Sequence, residues 1–240
     1  MLGIIRSELL KMRHTFSMKL VMIAPVITVV LGYLLSGNSV QFSAYNWWYS
    51  MILPIVVSMW SASIVIRERN TGMQNIVCLP VNLKKLWIGK VIALAILLLI
   101  SNLIMWAITT IFGIFTNMNI SPIDGLVGCL LLFVTYLWQF PFIMILTSNI
   151  GYMGGVLVSF AGNIFLSTLG AEKSWFIFDP YAISARIVCP FFKMRPNGLP
   201  LESGSVFLET GFVFPALLIS VLFAVAFLWG CTRLLTRGDR

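Results

Sequence analysis

The sequence predicts an all-α integral membrane protein with six transmembrane helices, both termini in the cytoplasm and an amphipathic N-terminal helix at the membrane interface. Of its 240 residues, 59% are hydrophobic and 10% are charged, whereas roughly a quarter of the residues in soluble domains are charged. The mean hydropathy is +0.96. We therefore expect residues 1–240 to form a single transmembrane domain embedded in a lipid bilayer.

Six apolar stretches approach the ~20 residues that a helix needs to cross the hydrocarbon core of a bilayer. For the first stretch, a cleaved signal peptide is the alternative interpretation. Basic residues continue up to Lys19 and no A-x-A-like site follows, so we interpret it as a retained span. A short polar turn from Thr147 to Gly151 separates the fourth stretch from the fifth. The predicted spans are 20–35, 47–66, 88–114, 125–147, 150–169 and 212–232.

The basic residues set the predicted orientation, because Lys and Arg near span ends are retained in the cytoplasm. Most of the 16 Lys and Arg residues lie before the first span, between the second and third spans, or after the sixth. These positions place both termini inside the cell. Nucleic-acid binding is another interpretation of the sequence pI of about 9.6. It is disfavoured because the basic residues lie at span ends and form no continuous basic domain.

The N-terminal residues 1–17 predict an interfacial helix with one apolar stripe. Three basic residues, Arg6, Lys11 and Arg13, lie off this stripe. We expect the helix to lie along the inner membrane surface and to lead into the first span. A simple membrane anchor is the alternative role. The stripe consists of Leu2, Ile5, Leu9, Met12 and Phe16.

The connection between the second and third spans, residues 67–90, combines basic residues with a short apolar edge. An ordinary positively charged loop that sets orientation would explain the basic residues, which we expect to meet anionic headgroups. It would not explain the edge, whose spacing of i, i+3, i+4 and i+7 is that of one helix face. The edge consists of Met73, Ile76, Val77 and Pro80, and the basic residues are Arg67, Arg69, Lys84, Lys85 and Lys90.

The same connection carries a pattern of spaced residues: Glu68, then Asn70-Thr71-Gly72, then Pro80, then Gly89-Lys90 at the start of the next span. This pattern resembles that of ABC-2-type exporter permeases. The resemblance implies that residues 67–87 form a coupling segment that docks on an ATPase subunit. It assigns coupling roles to Glu68, Gly72, Met73, Ile76, Val77, Pro80 and Lys90.

The chain contains no G-x-x-x-x-G-K-[ST] phosphate loop, since its Gly89-Lys90 pair is followed by Val91. We therefore expect a transport subunit rather than an enzyme, with no cofactor bound by this chain and with ATP and Mg²⁺ on a partner ATPase. The resemblance implies two copies of that ATPase and a second permease subunit, homologous or identical. A single His, His14, and four Cys without a C-x-x-C pair predict no catalytic or metal site.

Small and polar residues within the fourth and fifth spans predict close helix packing or a substrate pathway. Small residues let two helices approach closely, and buried Ser, Asn or Gln side chains can hydrogen-bond across the contact. The six apolar cores carry no acid or base in our prediction, and this disfavours a proton- or sodium-coupled carrier. The packing or pathway candidates are Gln139, Gly151, Gly155, Ser159 and Asn163.

Residues 170–211 form a predicted outer segment rich in aromatic residues. An aromatic belt at the level of the headgroups is one interpretation. The other is that its acids contact a cationic amphipathic peptide as the substrate. The size of the chain, the Met-Gln-Asn that follows Gly72 and the stretch FIFDPYAISARIVCP resemble lantibiotic-immunity permeases of the MutE/EpiE branch. The candidate acids are Glu172, Asp179, Glu202 and Glu209.

The resemblance implies a permease subunit of an ATP-driven exporter in a bacterial plasma membrane. Its expected role is to expel lantibiotic-type antimicrobial peptides from the membrane, giving immunity or resistance. An ABC-2 exporter of another amphiphile, such as a drug or a lipid-linked molecule, is one alternative. A membrane sensor or assembly subunit that does not transport, and that uses residues 67–90 to hold a partner, is the other.

Overall fold

The computed structural model describes residues 1–70, 82–202 and 204–237, and over these ranges the chain is helical without a β-strand. An isolated β-bridge joins Met194 to Pro200. The helices are α1 Leu2–Met12, α2 Phe16–Ser36, α3 Val40–Trp47, α4 Leu53–Asn70, α5 Leu83–Phe115, α6 Pro122–Tyr136, α7 Gln139–Gly170, α8 Pro180–Ile187, α9 Cys189–Phe192 and α10 Val213–Arg237.

Four helical stretches in the described part of the chain are long and apolar enough to cross a membrane. Their length and apolar composition are those of a multi-pass membrane protein. Each of the six apolar segments predicted from the sequence lies mostly on helical residues, and the fourth includes the turn at Leu137 and Trp138. The four stretches are Phe16–Asn70, Leu83–Phe115, Pro122–Ser167 and Val213–Leu235.

The first stretch folds back on itself between α2 and α3. As a straight helix, its 55 residues would extend for about 80 Å, well beyond the thickness of a bilayer core. Gly37 interrupts the helix with φ +52°, in the left-handed region that favours glycine. After this break α3 packs against α2, where a Cβ on Gly32 would lie 2.9 Å from the backbone nitrogen of Ala44.

Helix α7 is a helical hairpin that reverses direction at Gly151, within the polar turn predicted from the sequence. Gly151 has φ +79° and ψ 179°, which are not helical values. Across the hairpin, the side-chain amides of Gln139 and Asn163 exchange two hydrogen bonds of 3.1 Å. These residues are 24 positions apart, so a straight helix would separate them by about 36 Å. The two arms of α7 are therefore antiparallel.

Short helices α8 and α9 insert part of the 170–211 segment into the helix bundle. The Phe192 ring is buried and stacks on Tyr45 with 4.1 Å between ring centroids, and Gly128 leaves the space that this ring fills. Trp175 and Phe178 are exposed. An aromatic belt therefore describes only part of this segment, because Phe192 is buried against helices of the bundle.

Candidate functional site at the start of helix α5

Helix α1 docks on the bundle with a polar residue at the centre of its buried side. Glu8 and Met12 are buried, while Leu2 and Phe16 are 84% and 60% exposed. The predicted apolar stripe is therefore divided, with Met12 buried inside the protein and Leu2 and Phe16 exposed. The physical reason is that Glu8, on the same side of the helix, finds cationic partners inside the protein.

Four ionisable side chains, Glu8, Lys11, Glu68 and Lys90, form a cluster that joins α1, α4 and α5; we call it the charge cluster. The Lys90 ammonium donates hydrogen bonds to Glu8 Oε2 at 2.8 Å and to Glu68 Oε1 at 2.5 Å. Lys11 donates to Glu8 Oε1 at 2.7 Å, and its Nζ lies 3.6 Å from Glu68 Oε1. Two cations and two anions therefore bind one another where α4 ends and α5 begins.

Close packing of α1 against α5 brings the charges together. A Cβ on Gly89 would lie 2.6 Å from Ile4 Cγ2, so glycine at this position allows α1 to approach α5. Two residues before Gly89 in α5 the Trp87 ring is buried, and its centroid lies 5.8 Å from Lys90 Nζ. Asn82 begins the helix by accepting a hydrogen bond from the backbone N–H of Lys84.

The environment of Glu8 and Lys11 favours their ionised forms. Burial alone would raise the pKa of the Glu8 carboxyl, but the charge of Lys90 and the hydrogen bonds from Lys11 and Lys90 outweigh burial and leave the pKa below its ordinary value. Burial would lower the pKa of Lys11, but its hydrogen bond to Glu8 and the two carboxylate charges raise it above its ordinary value. The protein thus retains charge where isolated charges would be unfavourable.

Two predictions about Lys90 are corrected by this geometry. Lys90 does not meet lipid headgroups, because its side chain is fully buried between two carboxylates. The expectation that the third span carries no buried charge is also wrong, since Lys90 belongs to the apolar segment 88–114. A lysine near a span end looks the same in the sequence whether it reaches the headgroups or an internal acid.

The coupling residues predicted from the family resemblance fall into two groups. Glu68 and Lys90 lie in the charge cluster. The other five, Gly72, Met73, Ile76, Val77 and Pro80, lie outside the described residues. Sequence reasoning missed Glu8, although a single acid in a basic helix, three residues before Lys11, was a signal of an internal ion pair.

The five packing or pathway candidates lie together in the α7 hairpin. Gln139, Ser159 and Asn163 are buried, and Asn163 also donates to the Ser159 carbonyl at 3.0 Å. Gly155 lies directly against Thr147, and Gly151 forms the turn. Their contacts hold the two arms of α7 together; a role in a substrate pathway stays a prediction.

The four acids of the outer segment that were predicted to contact a substrate differ in their exposure. Asp179 is buried and accepts a hydrogen bond of 2.9 Å from the backbone N–H of Tyr181, which makes it the N-cap of α8. The Asp179 carboxylate therefore has a structural role as a helix cap. Glu172, Glu202 and Glu209 are exposed.

Arg186 of α8 is a buried cation that the sequence did not single out. Its guanidinium lies 3.8 Å from the Phe207 ring centroid, 5.3 Å from Phe212 and 5.6 Å from Phe176. Nη2 makes a long contact of 3.5 Å with the Val206 carbonyl, while Nε and Nη1 are buried without a hydrogen-bond partner. Burial lowers the pKa of Arg186 from its ordinary value, against the influence of Cys189, Glu209 and Glu172.

Comparison with known protein families gave one informative match. A family model described as "ABC-2 family transporter protein" matches residues 4–166. The matched range contains all four residues of the charge cluster. Comparisons with curated proteins and with solved structures gave no match.

Proposed function

Because this chain belongs to the ABC-2 family of transporter proteins, we propose that it is the permease subunit of an ATP-driven exporter. Family membership makes the chain a membrane component of an ABC transporter, with an ABC ATPase as its partner. The observation that carries the more specific proposal is the charge cluster. It joins three helices at the point where residues 71–81, the centre of the predicted coupling segment, leave α4 and return to α5.

The protein crosses the membrane six times, with both termini on the side of the ATPase. The reversals at Gly37 and Gly151 support this number, because each divides a stretch too long for one crossing into two arms of suitable length. Basic residues near the ends of α1, α4, α5 and α10 support the orientation. The membrane is the plasma membrane of a bacterium.

The ATPase drives transport by moving the coupling segment. Two ATPase copies bind and hydrolyse ATP with Mg²⁺, and a second permease subunit, homologous or identical, completes the transmembrane unit. When the ATPase moves residues 71–81, the cluster passes the displacement to α4 through Glu68, to α5 through Lys90 and to α1 through Glu8. Short hydrogen bonds between buried charges suit this role, because they hold the three helices in one arrangement.

The exported molecule is a cationic amphipathic peptide of the lantibiotic type, and its export gives immunity or resistance. Glu172, Glu202 and Glu209 support this substrate class, because they present exposed negative charge on the segment that faces away from the ATPase in the proposed orientation. Exposed Trp175 and Phe178 on the same segment offer apolar contact for the other side of such a peptide.

The test is survival of a peptide-sensitive bacterial strain that expresses this chain with its ATPase and its partner permease. We expect survival against cationic amphipathic peptides to require an ATPase with an intact nucleotide site. A triple variant in which Glu172, Glu202 and Glu209 are each replaced by Gln should reduce protection against cationic peptides. A control variant in which the exposed basic residues Lys173 and Arg195 are each replaced by Gln should not. Protection that persists with an inactive ATPase would contradict export and favour a sensor or assembly role.

A further inference from the structure

One face of α1 carries basic and apolar side chains that no described part of the protein covers. Leu2, Arg6, Leu10 and Arg13 follow one another at helical spacing and share one side of α1. All four are exposed, Leu2 and Leu10 by 84% and 56%. We call these four residues the free face of α1. The free face lies opposite Glu8, and Glu8 is at the centre of the docked side of the helix.

The free face is positively charged because the one acid of this part of the chain is turned away from it. Glu8 is the single acid in residues 1–19, and its side chain is 2% exposed. The two guanidinium groups therefore face the surroundings without a neighbouring carboxylate on α1. A helix with arginine and leucine on one face matches an anionic bilayer surface, where arginine meets phosphate and leucine enters the boundary of the acyl chains.

The opposite side of the same short helix is bound into the charge cluster. Glu8 accepts hydrogen bonds from Lys90 and Lys11, and Lys11 also lies near Glu68. The Lys11 side chain is 41% exposed, at the border between the cluster and the surface. A force on the free face therefore acts on the charges that hold the end of α4 and the start of α5.

We propose that the free face of α1 binds anionic phospholipid headgroups and that this binding regulates the transporter through the charge cluster. The regulatory part rests on the proposed function, because it assigns the cluster to coupling. Anionic lipid holds α1 in the plane of the membrane and thereby orders the start of α5 through the contact of Glu8 with Lys90. A leaflet without anionic lipid leaves α1 and the start of α5 less ordered.

The test is amide hydrogen exchange of the full chain in vesicles of phosphatidylcholine, with and without phosphatidylglycerol. We expect phosphatidylglycerol to slow exchange in residues 2–13 by roughly 25-fold, since each of the two arginines near an anionic surface contributes on the order of a fivefold factor in affinity. Residues 83–90 should slow in parallel. Equal exchange of residues 2–13 in the two kinds of vesicle would overturn the proposal.

Matched variants separate specific binding from general attraction. A double variant in which Arg6 and Arg13 are each replaced by Gln should no longer show slower amide exchange in residues 2–13 when phosphatidylglycerol is present. Replacing Lys173 and Arg195 with Gln removes the same charge from exposed positions elsewhere and should leave the effect intact. A loss in both double variants would overturn the proposal. Slowing in wild type by added ATPase subunit rather than by phosphatidylglycerol would assign the free face to the ATPase and would overturn it as well.

The variant Glu8→Gln tests the connection to the cluster. Residues 2–13 should still respond to phosphatidylglycerol, because the free face is unchanged, whereas residues 83–90 should no longer respond. If residues 83–90 respond as in wild type, the proposed connection through Glu8 is wrong. None of these measurements uses ATP or a transported peptide, so their failure is distinguishable from failure of the proposed export function.

Discussion

The charge cluster and the 170–211 segment bury a cation in opposite ways. Lys90 is enclosed by two carboxylates, at 2.8 and 2.5 Å, that come from two other helices. Arg186 is enclosed by three phenylalanine rings, and two of its nitrogens have no hydrogen-bond partner. Buried charge in this protein therefore serves two purposes. The ion pairs of Lys90 link three helices, and the phenylalanine rings around Arg186 hold a short loop against α8.

The two arrangements should also respond differently to loss of the cation. Without Lys90, the buried carboxylates of Glu8 and Glu68 lose the ammonium group they share. Without Arg186, no buried carboxylate of the described chain loses a salt bridge, and the Phe207 ring loses only its cationic neighbour. The loss in free energy of unfolding on removing a buried cation therefore depends on whether buried carboxylates lose their partner.

The largest effect is expected for Lys90→Met. This change keeps a long side chain but leaves Glu8 and Glu68 buried beside an apolar group, so we expect it to lower the free energy of unfolding by about 3–5 kcal/mol. Denaturant unfolding in a fixed detergent would measure the loss. Lys85→Met removes an exposed lysine more than one turn earlier in α5 and should cost under about 0.5 kcal/mol in the free energy of unfolding. Equal losses in the two variants would show that the cluster does not stabilise the fold.

The next effect is expected for Gly89→Ala, which tests the close approach of α1 and α5. The added Cβ would lie 2.6 Å from Ile4 Cγ2, so α1 must shift, at a cost of about 1–3 kcal/mol in the free energy of unfolding. The second change Ile4→Ala makes room for the new methyl group. The double variant should therefore be more stable than Gly89→Ala alone. A double variant with the summed losses of both single variants would contradict this contact.

A smaller effect is expected for Arg186→Met. Its cation–π contact with Phe207 contributes about 0.5–2 kcal/mol, and removal of a poorly partnered buried charge offsets part of this loss. We expect a net change of about 1 kcal/mol or less in the free energy of unfolding, measured by the same denaturant assay. A loss as large as that of Lys90→Met would contradict the proposed difference between the two cations, because it would show that Arg186 has a strong anionic partner.

Local patterns predicted more of the fold than of the site. Long apolar stretches predicted where helices lie, and the polar turn from Thr147 to Gly151 predicted the reversal in α7, because hydrophobicity and turn residues act over short distances in the chain. The family resemblance singled out Glu68 and Lys90. The pairing of Lys90 with Glu8, 82 residues away, depends on how α1 docks, and no local pattern encodes that.

The same limit applies to the 170–211 segment. Asp179 looked available to a substrate, yet the start of α8 uses it as a cap. The enclosure of Arg186 depends on Phe207 and Phe212, which reach it from a loop about 20 residues later in the chain. An aromatic ring at a membrane surface and one packed over a buried cation have the same sequence signature.

The smallest effect is expected for the pH dependence of stability. The pKa of Glu8 is below its ordinary value, so its contribution is complete above the ordinary pKa of about 4.3 and is lost as the pH falls through the lower folded value. The pKa of Lys11 is raised, so its contribution is complete below about 10.4 and is lost only as the pH rises through the raised value.

Thermal unfolding against pH should therefore show no pH dependence from this pair through the neutral range, where both contributions are complete, and a loss of stability in acid. Glu8→Gln removes the carboxylate and should weaken the acid dependence relative to wild type. Glu209→Gln removes an exposed acid of the 170–211 segment and should retain that dependence. An acid dependence that is the same in wild type and Glu8→Gln would mean that the ion pairs of Glu8 do not hold α1 in place. The charge cluster would then not differ from the surroundings of Arg186 in the way we propose, because its ion pairs would not link the helices.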